Sequence, residues 1–338
     1  MQVMILAAGR STRLGSLGMA LPKPLLPICG YPAITYALAL CREAGLHDIV
    51  INLHHHADQI GRTLGDGACF GVNLRYSYEE ELLGTGGGVV KARSLFHSEA
   101  VLIINGKVAV DVDLRAVLEA HAHAPAGTVA TMVLREDPQP ELWAPIGVGA
   151  DGAVRSLRGQ RAKGAARAAL APRMFTGIHV VEPALLNRLP AGVCDMIGDG
   201  YIPALLAGDG IASLTIPGYF AEHSTPERYL AGNLALLENP ALLPHPPGPL
   251  CGVDPAAQVD ASAQIVAPVR LAPGSVVEAG AVVGPFAVVC AGARVAAGAQ
   301  VVRSVVWPGA TARGNLLGAI VAPDGPMIAE TTPPPQSV

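Results

Sequence analysis

The side chains best suited to chemistry cluster at the start of the chain. Arg10, Arg13 and Lys23 follow an apolar run, "VMILAAG" (3–9), that reads as a β-strand ending in Gly9. A glycine turn after a strand lets backbone N–H groups approach a phosphate. Guanidinium and ammonium groups beside it neutralise a polyphosphate. Pro22 and Pro24 flank Lys23, which predicts an extended loop that fixes the lysine. A second apolar run, "LIIN" (102–105), breaks at Asn105-Gly106 and leads into Lys107, Asp111 and Asp113. In open α/β sheets ligands gather beyond the carboxyl ends of strands, so Lys107 is expected to face a site. It is either a catalytic cation or a lysine standing where a metal-binding carboxylate belongs. Asp113 reads as a helix cap. The triple His54-His55-His56 invites a metal reading. Successive residues on a strand point to opposite faces, however, so three adjacent imidazoles cannot all ligate one ion.

These residues need a scaffold. Residues 1 to 238 alternate β-branched runs with helical stretches. Strands are expected at "DIVINL" (48–53), "NLRYSYE" (73–79), "AVLIING" (100–106) and "TVATMVLRE" (128–136). Helices are expected at "AITYALALCREAG" (33–45), from "GGGVVKARSLF" (86–96) and at "DLRAVLEAHAHA" (113–124). Asp151-Gly152 in "IGVGADGAVRSL" predicts a hairpin, and "MFTGIHVVEPALLNRLP" a strand followed by a helix. Such alternation implies βαβ units and a mostly parallel sheet.

From residue 252 the rhythm changes. Apolar residues recur every six positions at Val253, Val259, Ile265, Leu271, Val277, Val283, Val289, Val295, Val301 and Trp307. Six is not a multiple of 3.6, so this is no helix face. The hexad fits a three-sided β-helix over 252–322, one side per hexad. The Pro-rich stretch 239–251 reads as a semi-rigid linker, and 323–338 as a disordered tail.

A net charge of −4 gives no basic footprint for nucleic acid. Six cysteines without paired ligand spacing suit a reduced, cytoplasmic setting. No apolar run reaches membrane-spanning length, and the N-terminus lacks the features of a signal peptide.

The stretch "LAAGRSTRLGSLGMALPKPLLPICGYPAI" (6–34) resembles the signature of sugar-1-phosphate nucleotidyltransferases, most closely their mannose-1-phosphate guanylyltransferase-like branch. The likeness continues through "NLHHHADQI" (52–60), "EEELLGTGGGV" (79–89), "LIINGKV" (102–108), "MFTGIHVVEPALL" (174–186) and "GYFAEHSTPERYLAGN" (218–233). It implies an α/β, Rossmann-like nucleotidyltransferase domain followed by a left-handed parallel β-helix of hexapeptide repeats. The implied reaction joins an NTP and a sugar 1-phosphate to give an NDP-sugar and pyrophosphate. By the same resemblance, Leu6, Ala7, Ala8, Gly9, Arg10 and Ser11 hold the nucleotide, together with Asn105 and Gly106. Arg13 grips the β- and γ-phosphates, and Lys23 stabilises charge at the α-phosphate. Glu79 and Gly84-Thr85-Gly86 fall where the family reads the base, and Gly147, Thr176 and Gly177 where it contacts the sugar. A homo-oligomer formed through the β-helix is expected.

Two departures stand out. The family carries a magnesium-ligating aspartate where this chain has Lys107, and its second magnesium aspartate corresponds to Glu222. Glutamate can ligate through a longer arm, but ammonium has no lone pair to offer. Asp111 is the candidate substitute carboxylate. No clear match to the family's sugar-phosphate segment is found, although Arg161, Lys163 and Arg167 lie in that region. The chain is therefore expected to be either an active, magnesium-dependent nucleotidyltransferase or a degenerate member that binds nucleotide or nucleotide-sugar without turnover. Acyl transfer by the β-helix is disfavoured, because that chemistry uses a histidine base and all ten histidines precede residue 246.

Overall fold

The computed structural model describes residues 1–164 and 170–328. It forms two compact units, each assembled from separate pieces of chain. The first comprises Met1–Arg10, Ala37–Gly106 and Val110–Phe220. The second comprises Ser11–Tyr36, Lys107–Ala109 and the chain from Ala221 onward. Arg167 and residues 329–338 lie outside the described residues.

The first unit is built on one ten-stranded sheet. Its parallel half consists of β1 (Gln2–Leu6), β2 (Asp48–Leu53), β3 (Asn73–Tyr78) and β4 (Val101–Asn105), in the order β3-β2-β1-β4. Leu6 pairs with Asn52 on one side and Asn105 on the other, so the carboxyl ends of these strands are level. Val3–Ile5, Ile49–Ile51 and Leu102–Ile104 are fully buried. Continuous apolar runs of this kind belong to strands covered on both faces.

Beyond β4 the chain forms β5 (Val108–Val110), outside the large sheet. The other half of the sheet contains β6 (Thr128–Arg135), β7 (Ile146–Val148), β8 (Val154–Leu157), β9 (Gln160–Arg161), β10 (Ala171–Val181) and β11 (Gly210–Ile216). Here β10 runs antiparallel to β4, β6 and β7. β7 and β8 form the hairpin expected around Asp151-Gly152. The sheet is thus parallel at the predicted nucleotide strands and largely antiparallel past them. Finally β12 (Phe220–Glu222) pairs with β5.

In the second unit three parallel sheets run along three sides. Val253 pairs with Leu271 and Leu271 with Val289; Val259, Val277 and Val295 stack likewise, as do Ile265, Val283 and Val301. This is the three-sided arrangement that the hexads imply. Two details differ from expectation. Val253 and Val259 are 49 % and 36 % exposed, because they sit on the first coil with no coil beneath. Trp307 is not the tenth rung: Val306 stacks on Val289, since one residue is missing from that coil. The displaced Trp307 is fully buried, and its indole N–H donates to the Tyr229 hydroxyl at 3.0 Å.

That contact explains why the boundary expected near 239–251 does not part the units. The Tyr229 hydroxyl donates to the Pro27 carbonyl at 2.6 Å, and the Asn233 side chain accepts from the Cys29 N–H at 2.7 Å. The helix Pro226–Glu238 therefore packs with residues 11–36 and the β-helix. The expected linker is packed too, with Leu243 and Leu250 buried, and a side chain at Gly248 would strike the Tyr31 hydroxyl. Residues 325–328, expected in the tail, form a strand antiparallel to Ala319–Ala322.

Candidate functional site

In the first unit, a buried chain of hydrogen bonds links the ends of the parallel strands. The Ala7 N–H donates to Asn52 Oδ1 at 2.8 Å, and Asn52 Nδ2 donates to Glu79 Oε1 at 2.7 Å. Glu79 Oε2 accepts from the Leu83 N–H at 3.0 Å. The glycine turn after β1 is thereby tied through β2 to the start of the helix Gly84–Ala92. Glu79, expected to read the base, has both carboxylate oxygens engaged in this clamp. Asn52 was not singled out from the sequence, because its partners lie 45 and 27 residues away.

The glycine-rich helix start is demanded by packing. A Cβ at Gly88 would lie 2.7 Å from both Asn52 Nδ2 and Glu79 Oε1. At Gly84, Gly86 and Gly87 it would lie 2.1–2.8 Å from atoms of Gly192 and Cys194. The Thr85 hydroxyl donates to Asp195 Oδ1 and accepts from the Met196 N–H, both at 3.0 Å. Gly9 is different. A Cβ there would meet no atom within 4 Å, and its φ is ordinary, so the space beside the turn is open. Ala7 and Ala8 are buried, Leu6 is half-buried, and Gly9 and Arg10 are exposed. The Gly106 N–H closes the neighbouring strand end by donating to the Leu6 carbonyl at 3.0 Å.

The expected sugar residues lie on β7 and β10. Gly177 has φ +81°, and a Cβ there would fall 2.0 Å from Asn105 Nδ2, so only glycine allows this approach. The Thr176 hydroxyl donates to the Val133 carbonyl and accepts from the Ile178 N–H, which stabilises the bulge in β10. At Gly147 a Cβ would press on Leu170 and Ser156. Arg161 ends β9, and Lys163 lies in the turn beyond it. The three histidines sit in the turn beyond β2 rather than on a strand. His54 Nδ1 meets the Glu79 carbonyl at 3.0 Å, and His56 precedes the helix Ala57–Leu64 with left-handed backbone.

The second unit holds Arg13, Lys23 and Lys107. Ser11 adopts a left-handed backbone, and its hydroxyl accepts from the Lys23 N–H at 3.0 Å. Lys23 opens a 3₁₀ turn over Lys23–Leu25 instead of the expected extended loop. Pro24 suits this turn because its missing N–H falls among the unsatisfied donors of a helix start. Glu222 is the carboxylate around which the cations collect. Lys107 Nζ donates to its Oε1, and Arg13 lies 3.9 Å from the same oxygen. Ser224 donates to Oε2 at 3.0 Å, and Arg228 lies 3.5 Å from it. Burial pushes the Glu222 carboxyl up, but Lys107, Ser224 and Arg13 together hold it below its usual range. Lys23 is pushed down to about 8 by burial and by the charges of Lys107 and Arg13, which Glu222 offsets only in part.

The magnesium implied by the family resemblance does not suit these residues. Glu222, the carboxylate on which the cations meet, is engaged by a lysine and flanked by arginines. Asp111 belongs to the first unit, where its N–H donates to the Tyr219 carbonyl. Among the described residues, no three His, Cys, Asp or Glu side chains gather as a metal site. An ammonium group beside the carboxylate repels a dication and cannot ligate it.

Comparison with known proteins bears on the family and the fold. The family model described as "Nucleotidyl transferase" matches residues 2–158. The chain is 33 % identical over 194 residues to an N-acetylmuramate α-1-phosphate uridylyltransferase of Neisseria meningitidis, covering 57 % of this chain and 80 % of that protein. It is 30 % identical over 217 residues to a UTP–glucose-1-phosphate uridylyltransferase of Synechocystis, covering 61 % of this chain but only 55 % of that protein. It thus spans about half the length of that relative. A mannose-1-phosphate guanylyltransferase of Mycobacterium tuberculosis is 29 % identical over 251 residues, covering 71 % of this chain and 67 % of that protein. Among solved structures, HddC from Yersinia pseudotuberculosis in complex with GMP-PN shares the fold, with a TM-score of 0.58 at 21 % identity. The match covers 70 % of this chain and 99 % of that one.

Proposed function

Because the chain belongs to the nucleotidyl transferase family, we propose that it transfers a nucleoside monophosphate from an NTP to a sugar 1-phosphate, giving an NDP-sugar and pyrophosphate. The observation that carries this reading is the cation set Arg13, Lys23 and Lys107, which a single carboxylate balances only in part. A sugar-phosphate oxygen attacks the α-phosphorus as the bond to the leaving pyrophosphate breaks. No covalent enzyme intermediate is required, so catalysis rests on positioning and charge stabilisation. In this reading Lys23 offsets charge at the α-phosphate and Arg13 that of the departing pyrophosphate.

The names of the relatives divide between uridylyl and guanylyl transfer, so UTP, GTP and their NDP-sugars lead the test panel. A matching nucleotide raises the melting temperature, because ligand bound to the native state stabilises it. Pyrophosphate release with a panel of sugar 1-phosphates then reports turnover. The proposal fails if no NTP and no NDP-sugar shifts the transition. A second reading, binding without turnover, is favoured by the Lys107–Glu222 pair. It predicts the thermal shift without pyrophosphate release. The proposal extends to a cytoplasmic enzyme, where NTPs are at hand, and to a homo-oligomer assembled through the β-helix. Among the described residues no helix is long and apolar enough to cross a membrane.

A further inference from the structure

We infer that Glu222 is a resident stand-in for phosphate. It holds the position on Lys107 that a phosphate oxygen of the ligand takes, so the cluster binds polyphosphate without a divalent cation and releases Glu222 as it does so. The inference rests on the nucleotidyl-transfer reading for the identity of the polyphosphate.

The contacts of Glu222 are those of a bound oxyanion. One oxygen takes Lys107 and faces Arg13; the other takes a hydroxyl from Ser224 and faces Arg228. Its side chain is 11 % exposed, while those of Lys107 and Arg13 are 27 % and 58 % exposed. The carboxylate is enclosed, but its cations remain open to an incoming anion. The exchange is also favourable in charge. One carboxylate leaves the half-buried Lys23 at a lowered pKa, whereas a polyphosphate brings several negative charges to the same cations. Glu222 lies at the end of the short strand β12 and Lys107 directly precedes its partner β5. The pair is therefore set by backbone pairing rather than by chance meeting of two surface side chains. A divalent cation would have to enter beside three positive charges. Lys107 supplies a fixed positive charge in its place.

The test is calorimetric titration of the full chain with inorganic pyrophosphate and inorganic triphosphate, in EDTA and in excess magnesium. Wild type is expected to bind in EDTA, with an affinity changed less than threefold by magnesium beyond the metal's own chelation of the ligand. Lys107→Met is expected to bind at least tenfold more weakly. Glu222→Gln is expected to bind several-fold more tightly, because Lys107 no longer gives up a charged partner. Circular dichroism and the melting transition check that each variant is folded; the comparison of EDTA with magnesium needs no variant. Lys107→Asp is expected to make binding magnesium-dependent and to create a site that broadens the electron paramagnetic resonance spectrum of added Mn²⁺. Binding by wild type only with magnesium overturns the inference, as does weaker binding by folded Glu222→Gln. These failures are separable from failure of the nucleotidyl-transfer reading. Nucleotide binding that needs magnesium sinks only the inference, and metal-free pyrophosphate binding with no response to any nucleotide sinks only the reading.

Discussion

Replacing Lys23 by methionine should stabilise the protein while weakening its hold on polyphosphate. Burial and the charges of Lys107 and Arg13 bring the Lys23 ammonium from 10.5 down to about 8, with Glu222 opposing them. At about 1.4 kcal/mol per pH unit, this fall corresponds to roughly 3 kcal/mol of unfavourable interaction with the charged form. Lys23 is only half-buried, so solvent screening leaves about 1–2 kcal/mol. The sign follows from proton linkage. Below pH 8 both folded and unfolded chains carry the proton, and the folded state bears the full cost. Between pH 8 and 10.5 the unfolded chain binds more protons, so wild-type stability gains relative to the variant as pH rises. Lys23→Met should therefore be about 1–2 kcal/mol more stable than wild type at pH 7, and the difference should shrink towards zero near pH 10.5. Urea unfolding of both proteins, followed by circular dichroism at pH 7, 8.5 and 10, measures this. A variant less stable at pH 7, or a difference that does not change with pH, would refute the electrostatic reasoning. In the same material, pyrophosphate affinity at pH 7 should fall by about tenfold or more, the loss of one charge-assisted hydrogen bond.

Three further outcomes test the scaffold. Asn52→Ala removes the bonds to the Ala7 N–H and to Glu79 and leaves a buried carboxylate underpaired, so it should cost about 3–5 kcal/mol in urea unfolding and abolish the nucleotide thermal shift. Gly177→Ala forces a Cβ against Asn105 at a positive φ; it should cost about 2–4 kcal/mol and disturb the Asn105 side-chain amide signals in a ¹⁵N NMR spectrum. Trp307→Phe removes the indole N–H that the Tyr229 hydroxyl oxygen accepts and leaves a gap, at about 1–3 kcal/mol; a loss below about 0.5 kcal/mol would show that the buried bond does not hold the helix 226–238 in place.

What the sequence made legible was whatever repeats or alternates locally. The strand "DIVINL" occupies Asp48–Leu53 as read, and Val253 through Val301 follow the six-residue rhythm because each coil repeats the same local contacts. Pairings fixed only by tertiary approach were hidden. Lys107 and Glu222 are 115 residues apart, and Asn52 and Glu79 are 27 apart. A glycine run looks the same whether a ligand or a neighbouring loop needs the room. In the structure Gly84, Gly86 and Gly87 make room for Gly192 and Cys194, while Gly9 makes room for no protein atom. Periodicity also carried the hexad one position too far. The coil ending at Val306 is one residue short, and Trp307 takes the place of a rung in the sequence count but not in space.

Lys107 changes the kind of signal to which the site responds. A magnesium ion brings two charges and arrives with the nucleotide, so an aspartate site senses metal and nucleotide together. A lysine brings one charge and is always present, so between ligands it needs a counter-anion. Glu222 fills that need at a distance short enough for a hydrogen bond. Without it, Lys107, Lys23 and Arg13 would lose the carboxylate that offsets their mutual repulsion. At an effective dielectric near 20, two like charges about 5 Å apart repel by roughly 3 kcal/mol, which is a large share of the stability of a typical domain. The pair therefore lets the empty protein tolerate a cation cluster that its ligand requires. The cost is competition, because every phosphate that binds Lys107 must displace Glu222. Added salt screens this exchange, whereas added magnesium acts on it only through the free ligand. Polyphosphate affinity should accordingly fall steeply with ionic strength.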